Sequence, residues 1–153
     1  MFKRILIPVD GSQTSTTALI AGLQMARETG AAVQLLHAVN EMAWLGGIDL
    51  EGTWSADLAG MMRENGAKVL TDAAAIAQSA GVEASQVLID EPGKRLGDAV
   101  ADAAKLWNAD LVVVGSHGRR GLGRVLLGSG AEEVLRLAPV PVLVVRAARL
   151  EGA

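Results

Sequence analysis

Short apolar runs alternate along the chain with longer segments whose apolar residues recur at helical spacing. The first run, Ile-Leu-Ile-Pro-Val at 5–9, ends at an Asp-Gly-Ser turn. Residues 14–28 then carry apolar side chains three and four positions apart, and Gly30 follows as a helix-terminating residue. A second apolar run covers residues 32–39. Strand, helix and strand in this order predict a parallel crossover.

The same alternation continues to the end of the chain. The pattern predicts helices over 57–79, 95–107 and 129–137, and strands over 87–89, 110–115 and 140–145. The runs at 111–114 and 142–145 do not alternate with polar residues, so both faces of these strands are expected to lie beneath helices. We therefore predict a single doubly wound, Rossmann-like α/β domain over 1–153. Its five-stranded parallel sheet has the order 3-2-1-4-5, with helices on both faces.

The composition limits the cellular compartment and the kinds of partner expected for this domain. The chain has 153 residues and contains no cysteine, which excludes disulfides and thiolate chemistry and fits a cytoplasmic protein. Its apolar stretches are shorter than the ~20 residues that span a bilayer, so membrane insertion is not expected. A net charge of -3 gives no general attraction to nucleic acid. Residues 41–56 contain glycine and tryptophan without a clean period, and we predict a mobile loop there.

A glycine-rich loop at 115–130 directly follows the apolar run 111–114. Glycines let backbone N–H groups approach an anion, and the positive end of the following helix favours phosphate at the same place. The loop lacks the lysine of a P-loop, and it follows a later strand than the Rossmann fingerprint does.

The spacing Gly-x2-Gly-x9-Gly-Ser in this loop, together with the Asp-Gly-Ser turn after strand one, resembles the ATP-binding branch of the universal stress protein family. The likeness covers nearly the whole chain. It implies that Asp10 accepts hydrogen bonds from the ribose, with a helix cap as the alternative role. It also implies that the backbone of Ala38 meets the adenine, although Val39 is equally well placed.

In the same resemblance the loop glycines and Ser129 wrap the phosphates, and Mg²⁺ is held mainly through the phosphates. No catalytic or metal-ligating side chain is predicted. The predicted nucleotide-binding residues are Pro8, Asp10, Ala38, Val39, Val114, Gly115, Ser116, His117, Gly118, Arg119, Gly128, Ser129 and Gly130. Arg119, Arg120 and Arg124 are either phosphate ligands or solvated surface residues. His117 has no carboxylate partner in the local sequence, which makes a general base less expected than a hydrogen-bond donor.

The family resemblance also implies a homodimer formed through the last strand, Val140–Val145, with a monomer as the alternative. An uncovered apolar edge strand invites such pairing. We expect a nucleotide-dependent stress sensor or regulator with an unidentified protein partner. A slow ATPase, a protein that autophosphorylates at Ser116 or Ser129, and a dimeric interaction module that binds no nucleotide remain alternatives.

Overall fold

The structure is a computed structural model and describes residues 1–39, 56–117 and 127–146. Its elements are β1 (Arg4–Pro8), α1 (Gln13–Thr29), β2 (Ala32–Ala38), α2 (Ala56–Ser79), β3 (Ala84–Ile89), α3 (Leu96–Trp107), β4 (Leu111–Gly115), α4 (Ser129–Leu137) and β5 (Val142–Val145). The predicted loop at 41–56 lies outside the described residues except for Ala56, which begins α2. Within the described ranges, no helix has the length and apolar character needed to cross a membrane.

The five strands form one parallel sheet in the order β3-β2-β1-β4-β5, which confirms the predicted topology. Successive side chains of β1 point to opposite faces, so Ile5 and Ile7 pack beneath α1 and α2, whereas Leu6 packs beneath α3 and α4. All three are fully buried. Because β1 lies at the centre of the sheet with helices on both faces, it needs the uninterrupted apolar run seen in the sequence.

The two edge strands depart from the expectations. β3 begins at Ala84, three residues before the predicted start. The prediction missed the start of the strand because the exposed Ser85 and Gln86 break the apolar run at this edge. The prediction that both faces of β5 are buried is wrong: Leu143 is 38% exposed, whereas β4 is buried on both faces from Leu111 to Val114. Among the described residues, β5 has a strand neighbour on one side only.

Two glycines of α2 differ in the space that the structure leaves for a side chain. A Cβ on Gly66 would lie 2.8 Å from Cδ2 of His37 and 2.9 Å from Cδ1 of Leu88, whereas a Cβ on Gly60 would have no described neighbour within 4 Å. His37 is buried and bonded to the backbone, so its ring has little room to move. The α2 helix therefore approaches the sheet closely at Gly66.

We expect Gly66→Ala to lower the free energy of unfolding by about 1–3 kcal/mol through overpacking. Gly60→Ala, in the same helix, should raise it by roughly 0.5–1 kcal/mol because alanine has the better helix propensity. Chemical denaturation of both variants checks this pair. Equal effects would contradict the close approach at Gly66.

Asp110 fastens the amino-terminal end of β1 to β4. Its carboxylate accepts the backbone N–H of Lys3 at 2.8 Å and that of Arg4 at 3.0 Å. Burial raises the pKa of Asp110, but the hydrogen bonds from the Arg4 and Lys3 backbone outweigh it, so the net pKa is lowered. A lowered folded-state pKa stabilises the fold above the unfolded value, ~3.9, and this stabilisation is lost as the pH falls through the folded value.

Asp110→Ala is expected to lower the free energy of unfolding at neutral pH by about 1–3 kcal/mol. The difference from the wild type should shrink as the pH falls from ~4 through the lowered folded-state pKa, because the wild-type carboxyl then takes up a proton and the stabilisation by its charged form is lost. Urea denaturation over this pH range measures it. Asp72→Ala is the control, since its exposed ion pair with Lys68 contributes at most about 0.5 kcal/mol.

Candidate functional site

The order of the strands reverses between β1 and β4, and several of the predicted site residues follow these two strands. In doubly wound sheets, ligands bind beyond the carboxyl ends of the strands at such a switch point. Pro8 ends β1, and Asp10 lies two residues further along the chain. Val114 and Gly115 end β4, and Ser116 follows directly. The fold thus brings these residues to the same edge of the sheet.

Asp10 is held in place by the turn that starts α1. Its Oδ1 accepts the N–H of Ser12 at 2.9 Å, and its own N–H donates to Oγ of Ser15 at 3.1 Å. Ser12, and not Asp10, caps the helix, because its Oγ accepts the N–H of Ser15 at 3.1 Å. The turn therefore orients the Asp10 carboxylate without placing it in the cap position.

The backbones of Ala38 and Val39 face different neighbours. The N–H of Val39 donates to the Ile89 carbonyl beside β3, whereas the Leu36 carbonyl accepts the N–H of Val9 on the other side. Because alternate residues of a strand face the same neighbour, the backbone of Ala38 faces β1 and the switch point. Ala38 and Val39, the two residues predicted to meet the adenine, therefore differ in the neighbour that their backbones face.

The His37 side chain adds a hydrogen bond between the ends of β1 and β2 at this edge. Its Nδ1 lies 2.8 Å from the carbonyl oxygen of Val9, and because a carbonyl only accepts, Nδ1 carries the proton. The ring is buried beneath α2 at Gly66. This role is structural.

Gly115 permits α1 to approach β4 closely. A Cβ at this position would lie 2.9 Å from Cγ2 and 3.0 Å from the carbonyl oxygen of Thr14. The family resemblance predicts that Gly115 contacts the phosphates. The structure shows that the same position also has to lack a side chain so that α1 can pack against β4. Thr14 itself was missed, because nothing in the local sequence distinguishes it from the other hydroxyl residues that start α1.

The His117 ring lies between two hydroxyl groups. Its Nε2 is 3.2 Å from Oγ1 of Thr14, and its Nδ1 is 3.2 Å from Oγ of Ser116. The local sequence offers no carboxylate partner for this ring, and its hydroxyl partner on α1 is 103 positions away along the chain.

The start of α4 packs against the end of the β4 segment. The N–H of Gly128 donates to the Ser116 carbonyl at 2.6 Å, and a Cβ on Gly128 would lie 3.0 Å from Cα of His117. Gly128 is the N-cap of α4 and offers no side-chain oxygen to the first N–H groups of the helix. Ser129 and Gly130 form the first turn, whose backbone donors and positive dipole end suit an anion.

Gly118, Arg119, Arg120 and Arg124 lie outside the described residues. Across the parts of the chain that are described, no three His, Asp or Glu side chains come close enough to hold a metal ion. A cleft of about 300 Å³ lies beside the site, between α1 and α2, and is lined by residues that include Val9, Gly11, Ser15 and Asn65.

The parallel order 3-2-1-4-5, with polar and glycine residues gathered at its switch point, defines a doubly wound α/β protein. The profile of the universal stress protein family matches residues 1–146, and the chain belongs to this family. Universal stress protein MJ0531 of Methanocaldococcus jannaschii is 34% identical over 152 residues, covering 99% of this chain and 86% of that protein. A solved family member from Burkholderia pseudomallei is 31% identical, with a TM-score of 0.75 over 95% of this chain and 96% of that one.

Some solved proteins of this fold carry adenine nucleotides. A universal stress protein in complex with cAMP is 25% identical to this chain, with a TM-score of 0.70 over 96% of this chain and 99% of that one. An Archaeoglobus fulgidus member in complex with dAMP is 23% identical, with a TM-score of 0.69 over 94% and 97% of the two chains. An Arabidopsis thaliana member with AMP bound is 18% identical, with a TM-score of 0.66 over 95% and 92%.

Proposed function

We propose that this protein binds ATP with Mg²⁺ at the switch point and acts as a cytoplasmic nucleotide-dependent stress sensor or regulator. The observation that carries the proposal is the start of α4, which has no side-chain cap, at the same edge of the sheet as the Asp10 carboxylate, which the Ser12 N–H holds. The related protein solved with cAMP supports an adenine nucleotide as the ligand class.

The described residues fit the two ends of such a ligand. Oδ1 of Asp10 is bonded to the Ser12 N–H, which leaves Oδ2 to accept a ribose hydroxyl. At the other end, Gly128 allows the start of α4 to approach His117 closely, and phosphate oxygens would accept bonds from the backbone N–H groups of the first turn of α4. The ATP oxygens themselves would provide ligands for Mg²⁺, a hard cation that prefers oxygen.

The surroundings of His117 favour holding ATP over hydrolysing it. Phosphoryl transfer to water requires a group that positions the attacking oxygen. Both ring nitrogens of His117 are already directed at the hydroxyls of Thr14 and Ser116, so the ring is not placed as a general base. A regulatory protein partner would then respond to whether the nucleotide is bound.

Calorimetric titration with ATP, AMP, cAMP and adenosine, each with Mg²⁺, tests the proposal. We expect saturable 1:1 binding of ATP per chain and weaker binding of adenosine, which lacks the phosphates. Replacing Arg27, on the C-terminal turn of α1, with alanine is the control and should leave the ATP affinity unchanged. Absence of heat and of any thermal shift with all four ligands would reject nucleotide binding and favour an interaction module instead.

A further inference from the structure

Two buried hydroxyl groups and one imidazole connect the two sides of the switch point. Thr14 is 4% exposed and Ser116 is 2% exposed, although both are polar. The His117 ring lies between their hydroxyls, with 3.2 Å on each side. Buried hydroxyl groups in such an arrangement are stabilising only when hydrogen-bonded, and the ring is the partner they share.

We propose that Thr14, His117 and Ser116 form a hydrogen-bonded brace that couples the ribose side of the site to its phosphate side. The inference rests on the proposed nucleotide function and assigns His117 as a positioning residue rather than a phosphate ligand. Thr14 contributes its hydroxyl from α1, and Ser116 contributes its hydroxyl from the position directly after β4.

Further hydrogen bonds connect the brace to both sides of the site. On the ribose side, Thr14 belongs to the first turn of α1, and the same turn holds Asp10 through Ser12 and Ser15. A displacement of this turn would therefore move the Asp10 carboxylate.

On the phosphate side, Ser116 accepts the Gly128 N–H at 2.6 Å, and Gly128 begins α4. His117 also packs its Cα against Gly128. The segment between His117 and Leu127 is long for a simple strand-to-helix connection, so the start of α4 needs such a fastening to keep its position relative to β4.

The chemistry of the three groups suits a fixed bridge. A neutral imidazole donates from one nitrogen and accepts at the other, and each hydroxyl can take either role. The ring can therefore bond both hydroxyls at once in either tautomer. A Cβ on Gly115 would strike Thr14, so the absence of a side chain there is what lets α1 come close enough for the Thr14 hydroxyl to reach the ring.

Thr14→Val tests the brace, because valine keeps the shape of threonine and removes its hydroxyl. We expect the affinity for ATP to fall about fivefold, the effect of one ordinary hydrogen bond, while the affinity for adenosine stays within about twofold. Thr14→Ser retains the hydroxyl and should bind ATP nearly as the wild type does. Thr29→Val removes an exposed hydroxyl of the same helix, bonded only to the Met25 carbonyl, and should change neither affinity.

His117→Gln and the double variant T14V/H117Q separate a brace from a direct ligand. In a brace, the loss of ATP affinity in the double variant does not exceed the larger single loss, because both changes break the same connection. If His117→Gln weakens ATP binding while Thr14→Val does not, His117 contacts the phosphates directly and the brace is rejected. Ser116→Ala is the alternative variant if Thr14→Val does not fold. It should also lower the affinity for ATP relative to the affinity for adenosine.

A readout without nucleotide keeps this inference distinct from the proposed function. In the free protein, the ¹⁵N shifts of the His117 ring should change in Thr14→Val and not in Thr29→Val. Unchanged ring shifts in Thr14→Val would overturn the brace even if ATP binds. If the ring shifts change but the wild type binds no ATP, the contact stands while the proposed function, and with it the coupling of nucleotide subsites, is rejected.

Discussion

Asp10→Ala is expected to weaken ATP binding by roughly 10- to 100-fold, the loss that corresponds to hydrogen bonds of about 1.5–3 kcal/mol to a charged acceptor. The carboxylate is held just before α1 by the Ser12 N–H at 2.9 Å, so little freedom is lost when a ribose binds. Calorimetry with ATP measures the loss.

Two further measurements test whether the ribose is the partner of Asp10. Asp10→Asn keeps an oxygen for the Ser12 N–H and thus the turn, so its defect should come from the lost charge and be smaller than that of alanine. For 2′,3′-dideoxy-ATP, which lacks both ribose hydroxyls, wild type and Asp10→Ala should bind alike. An equal penalty of Asp10→Ala for both nucleotides would show that the carboxylate supports the turn only.

The second large effect concerns the edge strand β5, through which we propose that two copies of the chain pair. The Pro141 and Val145 carbonyls accept bonds from β4, from the N–H groups of Val112 and Ser116. Because alternate residues face the same neighbour, the N–H groups of Val142 and Val144 point to the open edge. Leu143 is 38% exposed beside them.

Val144→Pro removes one of these outward donors without taking a bond from β4, and Leu143→Lys places a charge on the exposed apolar position. Both variants should convert the dimer to a monomer in sedimentation velocity, while circular dichroism shows a retained fold. Leu106→Lys, at an apolar position that is 89% exposed and lies on α3, is the control and should stay dimeric. A wild-type monomer, or dimeric variants, would exclude pairing through β5.

The topology was predictable because each buried strand carries its own signal. The apolar run of β4 and the helical spacing of α1 depend on local chemistry, and a parallel sheet with short connections leaves few arrangements. The edge strands were predicted less well. Ser85 and Gln86 lie in β3 although they are polar, and Leu143 of β5 is exposed although it is apolar, because burial at an edge depends on what covers it.

The candidate site was predictable where the requirement is local. The turn at Asp10 and the glycine at position 128 are visible in the sequence, since turns and helix starts need particular residue types nearby. The competition between Asp10 and Ser12 for the cap of α1 was settled only by geometry: Ser12 takes it. The neighbours that the backbones of Ala38 and Val39 face likewise became visible only in the arrangement of the strands.

By itself, the sequence determined the order of strands and helices, the family resemblance and the position of the glycine-rich loop, because these follow from periodicity and from short motifs. Only the tertiary structure decided that Thr14 meets His117 and that Gly115 and Gly66 permit close approaches of a helix to the sheet. Such contacts join residues far apart in the chain, and their formation depends on how helices pack across the sheet, which no local pattern encodes.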